Sequence, residues 1–282
     1  MSMATKAART KAAHRIRLDV ALVRRGLLPT RAKAQASVLA GEVYVNGARA
    51  AKAGMPVPSD ARLEMRSRRP AFVSRGGIKL EHALTAFGID VEGKRAADIG
   101  SSTGGFTDCL LRRGAARVYA IDVGTGQLDW SLRNDPRVVS LEEQDVREVR
   151  VEDLDGPVEV ATVDVSFISL AKVLPSLGRL VREGASVVTL VKPQFEAGPK
   201  AAKRGVVREA AVHLEVLREV AARAAASGFS VLDATYSPIA GPDGNIEYFL
   251  HLRAVPGEAP TPDLASVVSA AHGAVRRKGE RR

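Results

Sequence analysis

An α/β fold with helices on both faces of a parallel sheet, preceded by a small α+β module, is the architecture this 282-residue sequence predicts. Three observations lead there. Strand-like apolar runs alternate with helical ones between residues 95 and 226, the pattern that builds a parallel sheet. The last two runs, Phe229–Thr235 and Ile246–Leu252, have no helix between them and read as an antiparallel hairpin at the sheet edge. The charge is also divided. Residues 1–75 carry sixteen Lys and Arg against four Asp and Glu, although the whole chain balances at only +10. Such a split marks a separate polyanion-binding module rather than a uniformly basic surface.

Composition narrows the classes further. Apolar residues at 45% and charged ones at 26% suit a chain that buries a substantial core. The single cysteine, Cys109, excludes a disulfide framework and a cysteine-rich zinc site. Five histidines (His14, His82, His213, His251 and His272) show no ligand spacing, so no metal is expected. No apolar run approaches the roughly 18 residues of a membrane span. The basic N-terminus has no apolar centre, and a cytoplasmic protein with no membrane contact is expected.

In chain order, residues 1–14 lack periodicity and read as a disordered basic arm. The first module spans 15–65. Leu18, Ala21 and Leu22 share a helical face that Gly26 ends, and Thr30 caps a second helix with Ala34, Val38 and Leu39 inside. Val43–Val45 is a short strand and Asn46-Gly47 a strong hairpin turn, with a second strand around 62–65. Arginines around these helices suit phosphate, with Arg17, Arg24, Arg25, Arg31 and Lys33 as contact candidates, joined by Arg68 and Arg69 in a linker at 66–75.

The second module spans 76–255. Its predicted strands are 95–99, 117–123, 159–165 and 185–191 before the hairpin. The helices between them are 106–113, 126–133, 170–181 and 206–226. Residues 256–282 read as a flexible basic tail. The first strand ends in Asp98-Ile99-Gly100-Ser101-Ser102-Thr103-Gly104-Gly105-Phe106, a glycine-rich turn that lets a ligand reach the backbone. Its spacing is neither G-x-G-x-x-G nor the P-loop, and no lysine follows to hold phosphates. An acid ahead of the glycines opposes a pyrophosphate and suits a cationic ligand, which S-adenosylmethionine is. Asp98, Gly100, Ser101, Gly104, Gly105 and Phe106 are therefore candidates to bind that cofactor. Asp122, closing the second strand, suits the ribose hydroxyls. Asp145 suits the adenine amino group, or equally caps its own loop.

Asp164 and Lys192 each follow a buried strand directly, where the ligand crevice of an open parallel sheet lies. Cytosine C5 chemistry requires a nucleophilic cysteine, but Cys109 lies between apolar neighbours on a helix and reads as core. Lys192-Pro193-Gln194-Phe195 only echoes the amine-methylating tetrapeptide, with a lysine where an amide or acid is required. A free-amine lysine can instead take a proton from a sugar hydroxyl, with Asp164 orienting it. Ribose 2′-O methylation matches these residue types best.

Two resemblances extend this reading. Residues 15–65, through Arg17-Leu18-Asp19, Gly26-Leu27, Thr30-Arg31, Gly41 and Val43–Gly47, resemble the RNA-binding domain named for ribosomal protein S4. Residues 15–253 as a whole resemble the TlyA family of ribosomal RNA 2′-O-methyltransferases, relatives of the FtsJ enzymes once filed as haemolysins. The matching phrases are Val73–Gly77 with Lys79-Leu80, Gly105-Phe106-Thr107, Asp164–Ile168, Val191–Glu196 and Gly241–Glu247. The resemblance implies a Rossmann-like, seven-stranded methyltransferase domain behind a small α+β RNA-binding domain. It also implies S-adenosylmethionine as cofactor and cytidines of 16S and 23S rRNA, within ribosomal subunits, as targets. A catalytic tetrad of Lys79, Asp164, Lys192 and Glu247 is implied as well, of which Lys79 and Glu247 rest on the resemblance alone. Where relatives often carry a linker tryptophan, this chain has Phe72. The alternatives are a non-catalytic RNA-binding assembly factor and a pore-forming haemolysin.

Overall fold

A computed structural model describes residues 15–65, 71–198, 202, 205–255, 257 and 262–279. The arm at 1–14 and the candidates Arg68 and Arg69 lie outside the described residues. The chain divides into two compact units, Met1–Arg69 and Pro70–Arg282.

In the first unit, β1 (Arg15–Arg17) leads straight into α1 (Leu18–Arg24). The Thr30 hydroxyl accepts from Lys33 N at 3.2 Å and starts α2 (Arg31–Leu39), as its position predicts. The strands β2 (Val43–Val45) and β3 (Ala48–Arg49) turn through Asn46 and Gly47 at φ 51° and 83°, both left-handed, which is why this dipeptide is present. β5 (Leu63–Met65) completes a three-stranded sheet in the order β3-β2-β5. A second pairing, β1 with β4 (Pro56–Pro58), is absent from the sequence reading. A three-residue strand that begins and ends in proline carries no periodic signal. Leu18, Leu22, Ala34, Val38, Val43 and Val57 form the core of this unit.

The second unit opens with α3 (Gly76–Ala86) and continues through β6 (Arg95–Ile99), α4 (Gly105–Arg112), β7 (Arg117–Ile121), α5 (Trp130–Arg133) and β8 (Val138–Leu141). Next come β9 (Val158–Val163), α6 (Leu170–Leu180), β10 (Val181–Val191), α7 (Pro193–Glu196) and α8 (Ala210–Ala226). The chain then runs through β11 (Ser230–Tyr236), β12 (Tyr248–Arg253) and α9 (Leu264–Gly279). The seven strands lie in the order β11-β12-β10-β9-β6-β7-β8. All pairings are parallel except those of β12, which runs antiparallel to β10 and β11.

Consecutive residues of the central strands divide between two cores, as the two-residue repeat of a strand requires. Ala97, Tyr119, Ala161, Val187 and Tyr248 face the side covered by α6, α8 and α9. Their neighbours Ala96, Val118, Val160, Val188 and Phe249 face α3 and α4. This parity decides where every functional side chain points.

Five expectations need correction. Leu39, placed with Ala34 and Val38 on the apolar side of α2, is 87% exposed, because it follows Val38 directly and turns off the face those two share. β8 is missing from the strands expected above: Val138-Val139-Ser140-Leu141 is only four residues long, and half-buried throughout, too short a run to stand out. The helix expected at 126–133 shrinks to α5, since Gly126 is left-handed at φ 66° and Asp129 caps the helix at Ser131 N. β10 begins four residues early at Val181, with a register shift before Ser186. The tail expected over 256–282 contains α9, which packs on α8 and β11 and buries Leu264, Val268 and Ala271. A helix so anchored contributes to stability. Leu264→Ala should lower the unfolding free energy by about 2–4 kcal/mol in urea denaturation. An unchanged transition midpoint would show that the helix does not hold this position.

Candidate active site

The site is built where the parallel strands end. β6 leaves the sheet through Gly100 at φ 79°, and a Cβ there would lie 2.6 Å from the Asp164 carbonyl oxygen. Only glycine fits. Ser102, also left-handed at φ 46°, directs its N–H to Asp122 Oδ2 at 2.8 Å, while Gly124 N–H reaches Asp122 Oδ1 at 2.7 Å. The Asp122 carboxylate thus ties the glycine turn to the end of β7.

Not all the glycines serve a ligand. Gly104, left-handed at φ 90°, precedes α4, and Leu128 and Leu132 occupy the space its Cβ would need. Gly105 allows α4 to pass close to Ser74 and the Gly76-Gly77 backbone. Both positions are set by packing, although Gly105 also faces a cavity.

Two adjoining cavities open at this edge. The first, about 310 Å³, is lined by Lys79, Ser101, Asp164, Ser166, Lys192 and Gly241 among others. The second, about 380 Å³, has the acids Asp122 and Asp145 among apolar walls from Ile99, Ile121, Val146 and Phe167. Gly100, Ser102, Asp164 and Ser166 border both.

The first cavity holds two lysines, each paired. Lys192 Nζ lies 2.5 Å from Asp164 Oδ1 and donates to Ser166 Oγ at 2.8 Å. Lys79 Nζ lies 2.5 Å from Glu247 Oε2, with the glutamate only 1% exposed. The structure therefore brings Lys79, Asp164 and Lys192 to one cavity wall and sets Glu247 behind Lys79. Burial of either ammonium alone would be costly; each carboxylate offsets that cost.

Asp98 departs from expectation. Its carboxylate is fully buried, accepts from Thr107 Oγ1 at 2.7 Å and Thr162 Oγ1 at 3.0 Å, and lines neither cavity. The reason is parity: Asp98 shares the face of Ala96, beneath α4. Burial pushes it up to about 7 against the pull of the two hydroxyls, and the nearby Asp164 charge adds to the rise. It anchors α4 rather than facing a cation. Phe106 is buried against Phe249 at a ring distance of 6.2 Å and borders the first cavity.

Asp145 borders the second cavity, but Arg147 engages both carboxylate oxygens through Nε and Nη2, and its N–H adds a bond at 2.9 Å. The guanidinium holds this carboxyl below the usual range. Cys109 is buried, and burial with the Glu81 carboxylate beside it pushes the thiol well above its ordinary range, so it is no nucleophile.

Several cavity residues carry no site signal in the sequence reading. Ser74 and Arg75 line the first cavity, and Arg75 Nη2 donates to the Ala240 carbonyl at 2.7 Å. Phe167 is left-handed at φ 63° and 91% exposed, with the Phe195 ring 5.0 Å away. An exposed phenylalanine in that conformation is unusual. Its place just past the exit of β9, within the phrase Asp164-Val165-Ser166-Phe167, is the signal that could have found it. Phe72 stands in the core beneath Arg112, 5.4 Å from its guanidinium.

In the first unit the basic candidates divide. Arg17 and Arg31 are half-exposed and both held by the buried Asp19 carboxylate at 3.0 Å, with Gln35 Nε2 also on Asp19 at 3.2 Å. Arg24 and Lys33 are exposed. Arg25 instead braces the fold, donating to the Ala61 carbonyl at 2.5 Å and to that of Ser59.

Comparison with known proteins gives the family of each unit. Residues 72–254 match the FtsJ-like methyltransferase family, and residues 16–63 match the S4 domain. The 16S/23S rRNA (cytidine-2′-O)-methyltransferase TlyA of Mycobacterium tuberculosis is 47% identical over 86% of this chain and 91% of its own length. Hemolysin A of Brachyspira hyodysenteriae is 41% identical over 84% of this chain and 99% of its own. A solved structure from Streptococcus thermophilus, which carries a hemolysin name, is 43% identical with a TM-score of 0.73, covering 95% of this chain and 100% of that one. Among the described residues, no helix is long and apolar enough to cross a membrane, and no group of three or more His, Cys, Asp or Glu is gathered as for a metal ion. The chain belongs to the FtsJ-like methyltransferase family, within its S4-bearing TlyA group.

Proposed function

We propose that this protein methylates the 2′-hydroxyl of a cytidine in ribosomal RNA, in the 16S or 23S molecule, using S-adenosylmethionine. The observation that carries this reading is Lys192, held by Asp164 and Ser166 and facing a cavity whose other lysine, Lys79, is paired with Glu247. The M. tuberculosis relative's name gives the acceptor and position, and the S4 domain supports an RNA ligand.

The second cavity fits an adenosyl group. Ile99, Ile121, Val146 and Ile168 give an apolar slot for a flat ring, and Asp122 stands where ribose hydroxyls need acceptors. Gly100 leaves the backbone open at the junction with the first cavity. Asp145 can take an adenine amino group only by sharing its carboxylate with Arg147. When bound, the cofactor supplies an electrophilic methyl group, which the ribose oxygen accepts as a neutral thioether departs.

The chain's residues supply the rest. Lys192 Nζ gives up a proton to water and then takes the one from the 2′-hydroxyl, which restores its pair with Asp164. Ser166 accepts from the same Nζ and limits its swing. The Lys79–Glu247 pair holds the Lys79 ammonium at a fixed place on the cavity wall, where it orients the nucleotide. Phe167 and Phe195 offer aromatic faces at the mouth of the cleft, on which a base turned out of its stack can rest. Much of the rate gain comes from holding both reactants in place.

Labelled methyl transfer from S-adenosylmethionine into isolated 30S and 50S subunits tests the reaction. Wild type should label ribose of at least one subunit, and Lys192→Ala should lower single-turnover transfer by about 10²–10⁴-fold. No labelling by wild type would overturn the methylation, and undiminished transfer by the variant would overturn the base. Division of labour has its own test. Replacing Arg24 and Lys33 together by alanine should weaken subunit binding and lower the slope of log affinity against log salt by about 2. An unchanged slope would remove these two residues from the RNA contact.

A further inference from the structure

Glu247 is an incompletely fixed carboxylate. Oε2 meets Lys79, but the buried Oε1 has no hydrogen-bond partner among the described residues. Its aim must therefore come from the backbone that carries it. That backbone is gripped from the opposite face of the sheet.

Glu247 is the residue just before β12 and Tyr248 its first, and their contacts put the two side chains on opposite faces of the sheet. Glu247 goes to α3 and Lys79, while Tyr248 enters the core beneath α8, where its hydroxyl is 2.8 Å from His213 Nδ1. His213 is fully buried, and its Nε2 is 3.2 Å from the Val207 carbonyl. A carbonyl only accepts, so Nε2 carries the hydrogen and Nδ1 is the ring's acceptor, faced by the Tyr248 hydroxyl and, less closely, by His272 Nε2. Burial, with His272 Nε2 at 3.0 Å from Nδ1, depresses the ring to about 4 and keeps it neutral.

The same segment is tied a second time. Val207 N–H donates to Asn245 Oδ1 at 3.3 Å, and Asn245 Nδ2 donates to the carbonyls of Gly205 at 2.9 Å and Pro242 at 3.0 Å. Gly241 N–H closes the turn on the Asn245 carbonyl at 2.9 Å, and the Glu247 carboxylate fills the space a Cβ on Gly241 would need. His213, Tyr248 and Asn245 line neither cavity.

We infer that Tyr248 and His213, from the far face of the sheet, and Asn245, in the turn that leads into β12, are positioning residues for the transfer reaction that fix where Glu247 holds Lys79. This rests on the catalytic reading of the Lys79–Glu247 pair above. A phenylalanine in place of Tyr248 fills the core equally well and loses only the bond to His213.

The test is a pair of double-mutant cycles in the full chain. Single-turnover transfer into ribosomal subunits is measured for Tyr248→Phe and Asn245→Ala, each alone and with Glu247→Gln, at a temperature where circular dichroism shows the variant folded. Tyr248→Phe should slow transfer by about three- to tenfold, the equivalent of one buried hydrogen bond, and Asn245→Ala, which loses three, by at least as much, with subunit affinity unchanged. In the Glu247→Gln background the same changes should cost less than about twofold, because they act through Glu247. Losses that multiply would mean an independent structural role and overturn the inference. Wild-type rates for Tyr248→Phe beside a slow Glu247→Gln would overturn it alone. A fast Glu247→Gln would overturn the role of the pair itself, and this inference with it. Should Asn245→Ala not fold, the Tyr248→Phe cycle decides.

Discussion

The exits of β6 and β9 pass so closely that one residue type is permitted. Gly100 has the Asp164 carbonyl where its Cβ would be, and Asp164 N–H bonds the Ile99 carbonyl at 2.9 Å, extending the parallel ladder one step beyond the strands. That backbone contact places an acid directly beside the glycine turn, and both cavities meet there. Any residue with a Cβ at position 100 would push the two strand ends apart and separate the two halves of the site. The side chains of Lys192, Ser166 and Asp122 are then arranged around a junction fixed by main chain, which is stiffer than any side-chain contact.

The second organising rule is strand parity. Asp164 lies on the face of Thr162 and Val160, Lys192 on that of Leu190 and Val188, and Glu247 on that of Phe249. All three therefore emerge toward α3, which brings Lys79. Two lysines on one wall would repel each other and resist desolvation; a carboxylate for each offsets that cost while leaving both lysines and Asp164 on the cavity wall. Asp98 obeys the same parity but stops one residue short of the strand end, so it is trapped under α4 with two threonine hydroxyls.

How much of this is legible from sequence depends on the length of the signal. Strands such as Ala185–Val191 and the helix at Ala210–Ala226 have runs long enough to show their period, and Asn46-Gly47 identifies its turn through a rare backbone conformation. Asp164 and Lys192 stand out because an ionisable residue after a buried strand is unusual. Lys79 and Glu247 give no such signal: they become a pair only when α3 and β12 meet across 168 residues of chain. The glycine turn, read alone, assigns too much to the ligand. Gly104 is required by Leu128 and Leu132, partners that lie a turn and a helix further on. α9 is hidden in the sequence because its basic end masks the Leu264, Val268 and Ala271 stripe.

Asp19 has a consequence beyond the stability of its own unit. One buried carboxylate, held well below the ordinary carboxylate range by the Arg17 guanidinium first of all, fixes two half-exposed arginines at a set separation. Guanidinium groups on free side chains adapt to whatever phosphates come near. A pair clamped to a common anchor offers its two charges at a set interval and has less side-chain freedom to lose when an anion binds. In the RNA-binding role proposed above, a buried acid would thereby set the spacing at which two phosphates are met.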